Sequence, residues 1–190
     1  MPDDRTRRFA DRSAWEKWLA ANHATRDGIW LKLARKDAGI KTVSHDAALE
    51  VALSYGWIDA KGGKFDERYW LLRFTPRRRQ SKWSKINRDK AVELIKSRKM
   101  KPAGLREVER AKADGRWEAA YPGSRAATVP DDLQRELDKN ERARKFFATL
   151  SSQNRYAILY RIHEAKKPQT RSRRIEKFVA MLNDQQKIYP

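Results

Sequence analysis

The residues best suited to chemistry lie in one short stretch, where Arg73, Arg77, Arg78, Ser81, Trp83 and Asn87 fall close together. Arginine forks match phosphate or carboxylate oxygens in two-point geometry, and Ser81 and Asn87 add neutral donors. Trp83 either stacks on a base or fills a core. Thr75-Pro76 ends a strand, because proline removes a backbone donor and restricts the residue before it. The arginines that follow then approach a helix start, where free backbone N–H groups also favour anions. The competing reading is purely structural. In it Ser84 is a helix cap, Trp83 is core, and the arginines pair with surface carboxylates.

Asp59 is the carboxylate to weigh beside them. It follows Trp57 at strand spacing, so the two point to one side. Next to Arg73 it either forms an ion pair that orients the arginine or, with a raised pKa, acts as a general base. His23, His45 and His163 are far apart and lack a ligand spacing, so neither a metal nor another cofactor is expected. No phosphate-cradling glycine loop, nucleophile elbow or dinucleotide fingerprint occurs, and Gly62-Gly63 reads as a turn. The favoured reading is a non-catalytic protein that binds an anionic partner. An enzyme acting on a small anionic metabolite through Asp59, Arg73 and Arg77 is the alternative. A second basic cluster, Lys166, Lys167, Arg171, Arg173 and Arg174, would extend a phosphate-tracking groove if it lies beside the first.

Charge gives these residues their context. The chain has 190 residues and a formal net charge of +19, from 44 Lys and Arg against 25 Asp and Glu. Residues 72–101 carry twelve basic and two acidic residues, about half of that excess. Such a field attracts nucleic acid, phosphate-bearing ligands or acidic surfaces. The chain is 39% hydrophobic and contains seven Trp, which supports a real core and argues against disorder. There is no cysteine, no run of membrane-span length and no apolar leader after Met1-Pro2-Asp3, so the expected location is cytoplasmic.

The elements that must position these residues are legible as periodicity. Ser13, with Glu16 three residues on, predicts a capped helix to about His23, with Trp15, Trp18 and Leu19 on one face. Ile29 to Arg35 alternates as a strand. Ser44 caps a helix that is apolar nearly all round and stops at Gly56. Trp57–Ala60 and Tyr69–Thr75 read as strands joined near Gly62-Gly63, giving three strands in all. Ser84 caps a helix to about Lys99 with Ile86, Val92 and Ile95 inward, and Pro102 opens another that ends at Gly115. Residues 121–129 read as a linker. Four amphipathic helices follow, carrying Leu133 and Leu137; Phe146, Phe147 and Leu150; Tyr156, Ile158, Leu159 and Ile162; and Ile175, Phe178, Val179 and Leu182. The expected class is α+β: a small antiparallel sheet with packed helices over residues 1–122, then a four-helix module over 128–190.

Several landmarks together resemble the YdeI/OmpD-associated, or bacteriocin-protection, family. They are Gly28-Ile29-Trp30-Leu31, Gly56-Trp57-Ile58-Asp59, Arg73-Phe74-Thr75-Pro76-Arg77-Arg78, Ser81-Lys82-Trp83-Ser84 and Asn87. Met100–Gly104 and the spacing from Ala111-Lys112 to Trp117 extend the likeness. In the C-terminal part Val129-Pro130, Phe146–Leu150, Ala165-Lys166 and Thr170–Arg174 do the same. The resemblance covers residues from about 13 to 185. It implies an α+β N-terminal region, a helical C-terminal module and a role in tolerance of antimicrobial peptides or envelope stress. It carries no catalytic residues with it.

Overall fold

Ile29, Leu31 and Leu33 alternate with half-exposed residues, as a one-sided sheet requires, in the computed structural model, which describes residues 6–190. The chain divides into two compact units, one ending at Ala120 and the other starting at Tyr121. The first runs β1 (Thr6–Arg7), α1 (Arg12–Asn22), β2 (Ile29–Ala34), α2 (His45–Ser54), β3 (Trp57–Lys64), β4 (Tyr69–Pro76), α3 (Lys85–Lys96) and α4 (Pro102–Ala113). The second holds α5 (Asp131–Asp138), α6 (Glu141–Thr149), α7 (Ser152–His163) and α8 (Pro168–Asn183). The class is therefore α+β with a C-terminal helical module.

The sheet differs from expectation in two respects. It has four strands in the order β1-β2-β4-β3, and β1 runs parallel to β2 while the other two pairings are antiparallel. The sheet is thus mixed. β1 escapes a sequence reading because two residues cannot show an alternation. Gly62 and Gly63 are also not the turn. They continue β3 opposite Leu72 and Leu71, after a register shift between Asp59 and Gly62. The chain reverses instead at Asp66, whose side chain accepts from the N–H groups of Arg68 at 2.8 Å and Tyr69 at 2.7 Å.

One sheet face carries the core. Register places Ile29 opposite Phe74 and Leu31 opposite Leu72, and these four side chains are buried. Above them Trp15 of α1 lies 5.6 Å from Phe74 and stacks on Trp18 at 5.4 Å, while Trp18 meets Trp57 edge-on at 6.1 Å. Burying indoles requires partners for their N–H groups. Trp15 donates to the Ala48 carbonyl at 3.0 Å and Trp57 to that of His23 at 3.1 Å. α2 is central, with Ala48, Leu49, Val51, Ala52 and Leu53 all buried.

Two helix details are corrected by geometry. Asp11, not Ser13, caps α1, accepting from the Ala14 N–H at 2.8 Å. Asp11→Ala is expected to cost about 1 kcal/mol in urea unfolding, and Ser13→Ala to leave stability within about 0.5 kcal/mol. On α3 Ala91 and Leu94 are buried and Val92 and Ile95 pack partly buried against the same core, as expected, but Ile86 does not. Ile86 is 55% exposed, since it sits roughly 140° round the helix from Ala91.

In the second unit the four helices bury Leu133, Leu137, Phe147, Ile158, Ile162, Ile175, Phe178 and Leu182 against one another. Asn140 caps α6 and Ser151 caps α7. No helix among the described residues is long and apolar enough to cross a membrane.

Candidate anion-binding surface

The Arg73–Asn87 stretch does not form one constellation. Arg77 is only 6% exposed, and its guanidinium lies 3.6 Å from the centre of the Trp83 ring. Trp83 is itself 2% exposed and packs edge-on against Trp117 at 5.0 Å. Arg77 donates from its backbone to Gly56 at 2.9 Å and from Nη1 to the Lys82 carbonyl at 3.2 Å. These two residues hold the loop into the core and do not present a cation to solvent.

The loop between β4 and α3 is then closed locally. The Ser81 hydroxyl accepts from the Arg78 N–H at 2.8 Å, and the Ser81 carbonyl accepts from Arg116 at 2.7 Å. Arg116 is in turn held by Asp114 at the end of α4. Ser84 caps α3 through the Asn87 N–H at 3.1 Å, leaving the half-buried Asn87 side chain on the first turn.

Carboxylates of α1 and α2, and two within the basic stretch itself, neutralise part of it. Lys90 reaches Asp46 at 2.7 Å, Lys101 reaches Glu16 at 3.5 Å, Lys96 reaches Glu93 at 3.1 Å and Arg88 reaches Asp89 at 3.5 Å. Arg78, Arg79 and Lys85 are exposed and form no ion pair among the described residues. Arg78 and Arg79 lie in the loop before α3 and Lys85 opens that helix, whose first turn contains no acidic residue. Like charge at that positive helix end is unfavourable unless an anion offsets it.

Asp59 and Arg73 are separated by the sheet itself. Asp59 is registered with Phe74, so it shares the core-side face, while Arg73 is registered with Trp30 and points to the other. Arg73 lies 5.8 Å from the Trp30 ring centre. Asp59 meets His45 instead, 3.5 Å from Nε2, and His45 lies edge-on to Trp70 at 6.1 Å. Sequence spacing offered no signal for this pair, because it joins the start of α2 to a sheet edge.

The hydrogen bond to Asp59 raises the His45 pKa above its ordinary value, against a smaller opposing effect of burial. A histidine whose pKa is raised by folding stabilises the protein fully below its unfolded value and loses that contribution as pH rises through the folded one. His45→Gln is therefore expected to destabilise at about pH 5.5 and to be silent by about pH 8.5. The pair is half-exposed, so the difference stays below about 1 kcal/mol, read as the shift in urea midpoint between the two pH values.

The second basic cluster is also split by local pairing. Arg171 grips Asp132 with two bonds of 2.5 and 2.8 Å and donates to the Ile162 carbonyl at 3.0 Å. That contact holds the Asp132 carboxyl below the usual range. Arg174 donates to the Arg161 carbonyl. Lys166, Lys167 and Arg173 remain exposed. Among the described residues no three His, Asp or Glu side chains gather in a way that would hold a metal ion.

Residues 7–107 match the family described as a domain of unknown function, DUF8412, and residues 126–185 match the family described as Bacteriocin-protection, YdeI or OmpD-Associated. The chain belongs to the DUF8412 family and carries a YdeI/OmpD-associated module. That module is α5 to α8, beginning just before α5 and ending just after α8. The family likeness seen from about residue 13 to 185 is thus matched over residues 126–185, while the sheet and its arginines fall within the DUF8412 match. No curated protein and no solved structure matches the chain.

Proposed function

We propose that this DUF8412 protein is a non-catalytic binding protein for an anionic partner, and that its YdeI/OmpD-associated module ties that binding to tolerance of antimicrobial peptides or envelope stress. The observation that carries the reading is the row Arg78, Arg79 and Lys85, exposed and without a carboxylate at the start of α3. Arg88, Lys90, Lys96 and Lys101 of the same stretch pair with carboxylates, and these three do not among the described residues. A net charge of +19 repels cationic peptides, so protection would act through an anionic target and not by capturing the peptide. The reading assumes the cytoplasm, where nucleic acid is the abundant polyanion.

The enzymatic alternative needed Asp59, Arg73 and Arg77 to converge. Register puts the first two on opposite faces, and the third is buried on Trp83, which weighs against it. The test is a titration of labelled duplex DNA and of anionic vesicles at several salt concentrations. The expected result is an affinity for at least one whose logarithm falls linearly with the logarithm of salt concentration. Absent or salt-independent binding overturns the proposal.

A further inference from the structure

The sheet face opposite the core has a composition of its own. Trp30 and Lys32 of β2 and Tyr69, Leu71 and Arg73 of β4 share the face away from the core, and all five are half-exposed. Phe65, just beyond β3, is 48% exposed. Rings and cations are interleaved on this face. The Lys32 ammonium lies 4.0 Å from the Phe65 ring centre and 4.5 Å from that of Tyr69, and Arg73 lies over Trp30. Neither Lys32 nor Arg73 forms an ion pair among the described residues, and no carboxylate is registered on this face between Trp30 and Ala34 or between Tyr69 and Thr75.

Such a face offers two things at once, aromatic surface and positive charge without a carboxylate partner. A double helix cannot use the first, because its bases are already stacked on each other. An acidic peptide uses only the second. A single strand uses both, laying splayed bases on the rings and its phosphates against the cations. Trp30 and the Ala34–Tyr69 pair are four residues apart along β2, or about 13 Å, enough for a platform of two or three bases.

We infer that the exposed sheet face binds a short run of single-stranded nucleic acid, with bases stacked on Trp30, Phe65 and Tyr69 and phosphates held by Lys32 and Arg73. This rests on the polyanion reading above and names the partner and a second surface for it. Recognition by stacking tolerates any base, so little sequence preference is expected.

The test uses the full chain and fluorescence anisotropy with three probes of equal phosphate count: a labelled oligothymidylate, the same strand without bases, and a duplex. The expected result is oligothymidylate binding about tenfold tighter than the abasic strand. Phe65→Ala, at an exposed site that leaves the fold intact, should remove about fivefold of that preference. Trp30→Leu should remove about tenfold. Both variants should bind the duplex and the abasic strand as the parent does. Equal binding of the strand with and without bases, or silent variants, overturns the inference while leaving the polyanion proposal standing. Displacement of the strand by polyglutamate as effective as by nucleic acid of equal charge also overturns it, in favour of an acidic protein partner. Failure to bind any of the three probes overturns the inference, and overturns the polyanion proposal as well if anionic vesicles are also left unbound.

Discussion

Gly104→Ala lowers stability by about 3 kcal/mol, the upper range of overpacking costs, in urea unfolding followed by tryptophan fluorescence. The sign is the informative part, since a glycine inside a helix normally costs about 1 kcal/mol relative to alanine. Here Gly104 is buried on the first turns of α4, where that helix crosses the C-terminal end of α2. A methyl group would collide with the carbonyl oxygens of Ser54 and Leu53 and with the Met100 sulfur. Two of those atoms are backbone and cannot rotate away. The Ser54 carbonyl is also committed, accepting from the Lys101 N–H at 3.1 Å. Gly56 belongs to the same junction. It stops α2 at a φ of +76°, and a side chain there would press on the Ala103 carbonyl. Unchanged or raised stability in Gly104→Ala would mean that α4 does not seat on α2 in this way.

Arg77→Ala is the second large effect, a loss of about 3 kcal/mol from the vacated volume and the desolvated cation–π stack on Trp83. Arg77→Lys should recover little, because an ammonium lacks the flat face that lies on the indole. Arg79→Ala, on the exposed part of the same loop, should change stability by no more than about 0.5 kcal/mol. Denaturant curves for the three variants check the set. If Arg77→Lys restores parental stability, charge and not stacking holds Arg77 in place. If Arg77→Ala is silent, the loop is not anchored through Trp83.

Arg77 shows where the sequence stops being readable. In a run of basic residues every arginine looks solvated, since charge runs usually are. Only Trp117, beyond α4, and the Gly56 carbonyl, beyond α2, make a buried slot for one of them. Asp59 and Arg73 failed as a pair for a similar reason. Spacing fixes which side of its own strand a residue takes, but the relation between two strands depends on register. The pairing of Asp59 with Phe74 put the arginine on the far face.

What local periodicity controls was legible: the alternation of Ile29, Leu31 and Leu33, the apolar circumference of α2, and the four C-terminal helices with their inward leucines and phenylalanines. Elements defined by backbone partners were not. Thr6–Arg7 is a strand only because β2 lies beside it, and Gly62-Gly63 extends one only because a bulge shifts the register. The open sheet face was half-visible. The shared side of Tyr69, Leu71 and Arg73 could be read from β4, but Trp30 and Lys32 joined it only through the pairing of β2 with β4.

The central claim is that anion binding uses the exposed cations before and at the start of α3, while Arg77 is structural. The most direct measurement is the salt dependence of duplex DNA binding by the parent and by the triple variant Arg78→Gln, Arg79→Gln, Lys85→Gln. Each lost phosphate contact reduces the slope of log affinity against log salt by roughly 0.9, so the triple variant should show a slope shallower by about 2 to 3 and weaker binding at low salt, with its unfolding curve unchanged. An unaltered slope in the folded triple variant would contradict the account.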